Sequence, residues 1–276
     1  MRSITRALNV SRPNLQRRLK LKEAFFKGSY PSFLEDDELL NKIKTIIEKR
    51  PTYGYRRVTA LLNNQLLLLG NKTVNHKRVY RIMKENALLL AKANKKPTRT
   101  HDGKIITLKS NSRWCTDYFT IRCWNGDGVH VAFTLDTCDR EAMRYVASTR
   151  GVDGGMIRDL MLETIEYRFG QPKLPHKIQW LSDNGPCYTA HDTVRFGRLL
   201  GFDVCTTPAY CPESNGMAEA FVKTMKRDYV YVSDLSDAQT VMEQLPLWFK
   251  DYNENAPHKG LKMRSPRQFL SEMLAG

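Results

Sequence analysis

Two strand-like runs, Trp114–Cys123 and Val129–Asp136, stand on either side of Asn125-Gly126-Asp127-Gly128. The second run has stretches of alternation, and Asn-Gly and Asp-Gly steps between two such runs predict an antiparallel hairpin. The downstream chain restricts the fold further. Ala142–Thr149 is a third strand candidate, and Gly154–Phe169 is amphipathic on Met156, Ile157, Leu160, Met161, Ile165 and Phe169. Lys177–Leu181 reads as a short buried strand, Thr189–Leu200 as a helix and Phe202–Thr206 as another strand. A meander followed by alternating helices and strands predicts a mixed α/β sheet with helices packed on it.

The chain before this sheet has a different pattern. Asp36–Arg50 places Leu39, Leu40, Ile43, Ile46 and Ile47 on one helical face and acidic residues in its first turn. Pro51-Thr52-Tyr53-Gly54 breaks it, and Tyr55–Leu69 continues as a helix with Val58, Leu61, Leu62 and Leu66 inward. Asn75–Leu90 is expected as the third helix, apolar on Val79, Ile82 and Met83 and basic on Lys77, Arg78, Arg81 and Lys84. A basic helix closing a three-helix unit has the form of a recognition helix for the DNA major groove; a solvated charged face is the alternative. Ile4–Lys22 fits two short helices, with Ser11 as N-cap and Pro13 in a first turn. It reads either as a helix-turn-helix or as a basic hairpin without groove contact.

Charge separates the two halves. Residues 1–113 hold 26 Lys+Arg against 8 Asp+Glu, whereas residues 114–276 hold 18 against 21. A balance of +18 followed by −3 indicates a polyanion-binding module joined to something else. Cysteines 115, 123, 138, 187, 205 and 211 form no Cys-x-x-Cys pair, which argues against zinc and against a disulfide framework. The longest apolar run, Leu66–Leu69, is too short for a bilayer, and residues 1–30 lack a secretory h-region. No membrane association and a cytoplasmic location are expected.

The chemistry rests on carboxylates. Phosphodiester cleavage and transfer need charge neutralised on the attacking and leaving oxygens, which two divalent ions about 4 Å apart supply. Hard oxygen ligands select Mg²⁺. Asp117 lies on the first strand, Asp183 just past the fourth and Glu219 near the start of a helix beginning around Glu213, so the three can converge. Asn184-Gly185 supplies a tight turn after Asp183. Asn215, Glu219, Lys223 and Lys226 share one helical stripe, suited to meeting metal and DNA phosphate together; an ordinary Glu219–Lys223 surface pair is the alternative. Asp136 and Asp139 are weaker candidates for the first ligand. His258 is assigned a structural or DNA-proximal role, not that of a general base, and Trp114, Trp124, Trp180 and Trp248 are expected in the core.

Taken together, Trp114-x-x-Asp117, Asp183-Asn184-Gly185 and Pro212-x-x-Asn215-Gly216-x-x-Glu219 with Lys226 resemble the DDE core of retroviral-type integrases and bacterial insertion-sequence transposases. The 35 residues between Asp183 and Glu219 match that pattern. Tyr252-Asn253, Pro257-His258, Leu261 and Ser265-Pro266 resemble the tail of the second-frame (OrfB) transposase of the copy-out group. Pro51-Thr52-Tyr53-Gly54-Tyr55-Arg56-Arg57 and Lys77-Arg78-Val79-Tyr80-Arg81-Ile82-Met83 resemble its upstream helical module.

The resemblance implies a ribonuclease-H-like core over 113–230. Before it come a helix-turn-helix-like segment at 1–28, a basic three-helix DNA-binding module at 36–90 and a linker at 91–112; a helical tail is implied at 231–276. Asp117, Asp183 and Glu219 would be catalytic and metal-ligating, holding two Mg²⁺ ions with Mn²⁺ able to substitute. Lys226, Lys223, Asn215, Lys77, Arg78, Arg81, Arg56 and Arg57 would contact DNA. The implied reaction is attack by water and then by a 3′-hydroxyl on a phosphodiester, with one transposon end joined to the other before insertion. Terminal inverted repeats, target DNA, further copies of the chain and the upstream-frame protein would be its partners. A DNA-binding regulator without catalysis, or a nuclease of the same core that only hydrolyses, are the competing expectations.

Overall fold

The computed structural model describes residues 34–91, 107–207 and 215–275. The expected 1–28 segment, most of the linker and the residues Cys211, Pro212 and Glu213 lie outside them.

Three helices, α1 (Asp36–Lys49), α2 (Tyr55–Leu68) and α3 (His76–Glu85), pack around Leu39, Ile43, Val58, Leu62, Leu66, Val79 and Met83. Asn75 caps α3 by accepting from the Lys77 amide at 2.9 Å. The helix ends five residues earlier than its apolar pattern predicts. Ala87 takes a left-handed φ of 54°, and Leu88 N donates back to Met83 O at 2.8 Å. That Schellman-type closure turns Leu88 and Leu89 onto the helical core instead of along the helix.

The sheet is built from β1 (Arg113–Arg122), β2 (Gly128–Asp136), β3 (Ala142–Ser148), β4 (Ile178–Ser182) and β5 (Phe202–Thr206), in the order β3-β2-β1-β4-β5. The expected hairpin forms, with Trp114 opposite Asp136 and Arg122 opposite Gly128. Gly126 turns it with φ +97°, and Asn125 Oδ1 accepts from the Asp127 amide at 3.0 Å. β4 and β5 run parallel to β1. This mixed order is the ribonuclease-H-like arrangement.

Alternation gives the sheet two apolar faces. Cys115, Phe119, Ile121, Val131, Phe133 and Leu181 point to one, which α7 (Gly216–Asp228) and α8 (Ala238–Glu254) cover. Trp114, Ala132, Ile178 and Trp180 point to the other, covered by α4 (Gly154–Phe169). The expected helix at Thr189–Leu200 is split at Ala190 into α5 (Pro186–Thr189) and α6 (His191–Leu200).

The segment expected as a tail beyond residue 230 is part of this core. Val241, Leu245, Trp248, Phe249 and Tyr252 of α8 pack onto the sheet. Asn253 fastens the helix to β3, donating to Ala142 O and accepting from Ala142 N, both at 2.9 Å. The chain closes with α9 (Pro266–Ala275). No helix among the described residues is long and apolar enough to cross a membrane.

Candidate active site

Strand pairing decides where two of the carboxylates lie. In the parallel pair of β1 and β4, Arg113, Trp114 and Cys115 stand opposite Gln179, Trp180 and Leu181. Continuing that register by two residues sets Asp117 level with Asp183. Side chains alternate along a strand, and both carboxylates share the parity of Cys115 and Leu181, which pack under α7 and α8. Asp183 comes directly after the last residue of β4, where its Oδ1 accepts from Gly185 N at 3.0 Å. A Cβ at Gly185 would stand 3.0 Å from that same oxygen, so a side chain there would press on the carboxylate. Asn184 Nδ2 donates to Thr207 O at 3.0 Å and ties the turn to the end of β5.

Glu219 comes from the first turn of α7. Asn215, the residue before the helix, donates from Nδ2 to Thr116 O at 3.1 Å and holds the helix start beside Asp117. The sequence pattern places Asn215 against DNA; its side chain is instead buried in this bracket, leaving Oδ1 without a partner. Glu219 accepts from Lys223 Nζ at 3.0 Å, the ordinary pairing that the i,i+4 spacing allows. Among the described residues no three His, Cys, Asp or Glu side chains stand grouped closely enough to hold one ion. Asp117 and Asp183 come together on one face, while Glu219 is near them but turned to Lys223.

Charge at the site is unbalanced. Burial pushes the Asp117 carboxyl up to about 6, and the neighbouring Asp183 and Glu219 charges push it the same way, against one stabilising bond from Tyr118 N at 2.8 Å. A carboxylate that resists ionisation beside two others is a donor set fitted to a cation.

The remaining expected residues divide. Lys223 is exposed and Lys226 half-buried on α7, the helix that carries Glu219. Lys77 and Arg56 are exposed on the helical module, Arg56 donating to Tyr55 OH at 3.1 Å. Arg78 and Arg81 both reach Asp36 at the start of α1, Arg81 at 2.5 Å, and Arg81 also pairs with Glu85 at 3.1 Å. Arg57 is turned inward, onto Asp228 at 2.8 Å. Sequence periodicity places Arg78 and Arg81 on an outer face but cannot see Asp36, more than 40 residues away in the chain.

Asp136 and Asp139 are buried with Glu141 around Arg168, away from the carboxylate face. Trp114, Trp180 and Trp248 are buried as expected, whereas Trp124 in the hairpin turn is 70% exposed.

His258 is half-buried, edge-on to Tyr252 at 4.8 Å, a structural setting. Burial, then the Arg140 and Arg57 charges, push its pKa down from 6.5 to about 3. The unfolded chain therefore takes up a proton that the folded chain refuses, so this contribution to stability is lost as pH falls from 6.5 towards 3. We expect His258→Gln to lose less stability than the parent between pH 6.5 and 4.5. Urea midpoints measured across that window check it, and parallel curves would refute it.

Comparison with known proteins respects the same division of the chain. Residues 35–97 match the HTH-like domain family, and residues 108–212 and 201–266 each match an integrase core domain family. Transposase InsD for insertion element IS2A/D/F/H/I/K of Escherichia coli is 42% identical over 271 residues, covering 98% of this chain and 90% of the relative. Transposase InsD for insertion element IS2-9 of E. coli strain K12 is 42% identical over 98% of this chain and 88% of its own length. A chain of the simian T-cell lymphotropic virus intasome, solved with PP2A regulatory subunit B56 gamma, has a TM-score of 0.50 at 18% identity. It covers 83% of this chain and 73% of that one, a likeness of fold alone.

Proposed function

This chain belongs to the transposase family of bacterial insertion elements and is a DNA transposase with an integrase core, and from that premise we propose that Asp117, Asp183 and Glu219 form its catalytic centre. What supports the assignment most is the shared register and parity of Asp117 and Asp183 under the helix that carries Glu219. The three carboxylates would hold divalent metal, Mg²⁺ with Mn²⁺ able to replace it, and two ions in the DNA-bound complex. When bound, the metal neutralises charge on the attacking and leaving oxygens of the scissile phosphodiester.

The chain's own groups set the geometry. Asn215 keeps the start of α7 against β1, so Glu219 stays beside Asp117. The Asp183-Asn184-Gly185 turn holds the second carboxylate at the strand end. Lys223 gives up Glu219 to the site and, with Lys226, takes a phosphate of the transposon end. The exposed Lys77 and Arg56 contact DNA from the helical module. A 3′-hydroxyl then gives up its proton to solvent as its oxygen bonds to phosphorus, while the bond to the target strand's 3′-oxygen breaks and that oxygen takes a proton from solvent.

The HTH-like domain carries DNA binding. Recognition of inverted repeats, assembly of several copies on DNA, cooperation with the upstream-frame protein and residence in the cytoplasm belong to the same proposal. The test is a strand-transfer assay with the chain, alone and fused to the upstream frame, on a labelled duplex carrying the element's end. Joined product with Mg²⁺, lost with chelator, is expected. Nicked but never joined product would favour the nuclease reading instead.

A further inference from the structure

The segment Arg50–Arg57, which spans the turn between α1 and α2 and the first turn of α2 and resembles the family's helical module, is not simply an outward face. Arg50, Thr52 and Arg57 reach into the catalytic half. Thr52 Oγ1 donates to Asp228 Oδ1 at 2.6 Å and Arg57 donates to Asp228 Oδ2 at 2.8 Å. Arg227 closes on both oxygens of the same carboxylate at 2.7 Å. Arg50 makes a two-pronged pair with Asp251 of α8, which also accepts from Tyr229 OH at 2.9 Å. Between them lies Tyr53, 2% exposed, with the Arg57 guanidinium 3.5 Å and the Arg50 guanidinium 5.5 Å from its ring centre.

Two features set this cluster apart from ordinary surface ion pairing. The Asp228 side chain is fully buried, so its charge depends entirely on donors that include Thr52 and Arg57 of the other unit. Asp228 is also the last residue of α7, at the negative end of that helix's dipole, where a carboxylate is disfavoured without cationic partners. A buried carboxylate at that position needs cationic partners. In this chain Arg227 supplies one cation from the same helix and Arg57 of the DNA-binding module supplies the other, and α7 is the helix that carries Glu219 in its first turn.

We propose that the Arg50–Arg57 turn is a positioning latch, which fixes the DNA-binding module to the far end of the Glu219 helix so that bound DNA meets the carboxylates at one phosphodiester. Arg57 on this view positions the active helix and does not bind DNA. The inference rests on the preceding reading of the catalytic centre. Its structural half can be tested separately.

The experiment uses the full chain in the form that cleaves, on an end-labelled duplex carrying the element's end, with Mg²⁺. Asp228→Asn combined with Asp251→Asn removes the charges and keeps the side-chain shapes; Thr52→Val with Arg57→Lys is the milder set should the first not fold. DNA affinity is expected to stay at the parent value. Cleavage at the parent position should fall by roughly 10²-fold, the scale of a misplaced reacting group, with new cuts at neighbouring positions.

Genetically encoded spin labels at the exposed positions Lys72 and Asp192 should give one narrow distance in the parent and a broad one in the variants. Arg267→Met, which loosens the Glu141 ion pair elsewhere in the core, should lower stability without moving the cut. Variants that cut at the parent position and keep the narrow distance would overturn the latch. Loss of DNA affinity in step with loss of cutting would also overturn it, returning Arg57 to DNA contact. If the parent itself never cuts, the catalytic reading fails while the distance measurement still decides the latch.

Discussion

Asp117→Asn is expected to abolish strand cleavage and joining while leaving the protein folded and able to bind DNA. Metal held between carboxylates contributes several kcal/mol of charge neutralisation in the transition state, and each 1.36 kcal/mol is a factor of ten in rate, so the loss should be about 10³-fold or more. A general loss of structure would look different. Burial and the Asp183 and Glu219 charges raise the Asp117 pKa to about 6. A carboxyl held above its unfolded value of 3.8 stabilises the fold fully only below that value, and its contribution fades as pH rises through 6. The neutral amide should therefore melt no lower than the parent at pH 8 without metal, and it should gain less melting temperature than the parent when Mg²⁺ is added. A variant that melts lower and loses DNA binding together with activity would mean that Asp117 serves the fold and not the chemistry.

Arg168→Leu is expected to give the largest loss of stability. Its guanidinium, 7% exposed, answers three buried carboxylates: Asp139, Glu141 at 2.5 Å and Asp136 at 3.5 Å. It also donates to Asn111 Oδ1 at 2.7 Å, and Asp136 in turn accepts from Trp114 Nε1 at 3.2 Å. Removing one partner of a buried ion cluster leaves uncompensated charge and costs about 3–5 kcal/mol. At 2–4 °C per kcal/mol for a chain approaching this size, the melting temperature should fall by roughly 10 °C.

The sign of its pH dependence separates charge from packing. Burial, then Asp139, already hold the Asp136 carboxyl up at about 6 despite Arg168. Without the cation, the carboxylates regain stability only by taking protons, so the deficit should be smaller at pH 5.5 than at pH 8. A deficit independent of pH would point to lost packing alone.

Parts of this molecule are legible in the sequence for definite reasons. Asp117 sits in a strand-like run and Asp183 precedes an Asn-Gly turn, so the sequence lets them converge, whereas the β1–β4 register that sets them level is seen only in the fold. The helix over Gly154–Phe169 is readable because Asp153 caps it and Gly170, with φ +66°, ends it. The helix closing the DNA-binding module is overrun because the residue ending it is Ala87, which carries no breaker signal.

The arginines mislead for a different reason. A basic stripe reports charge but not partner, and Asp228 lies 171 residues from Arg57. The one local hint is an aspartate at the wrong end of a helix dipole. Likewise, nothing in the composition of 231–276 distinguishes a tail from a core helix until Phe249 is seen stacked 4.2 Å from Tyr145.

The register that levels Asp117 with Asp183 has a consequence for how this chain can change length. Adding or deleting one residue within β1 or β4 would turn every later side chain of that strand to the opposite face, sending its carboxylate under α4. Connections outside the strands carry no such parity, and chain length there can drift at little cost. Insertions, natural or engineered, should therefore be tolerated in the hairpin turn at Asn125–Asp127 and rejected anywhere between Trp114 and Asp117 or between Ile178 and Asp183. The few residues between each strand's start and its carboxylate act as a fixed ruler inside a chain that is otherwise free to vary in length.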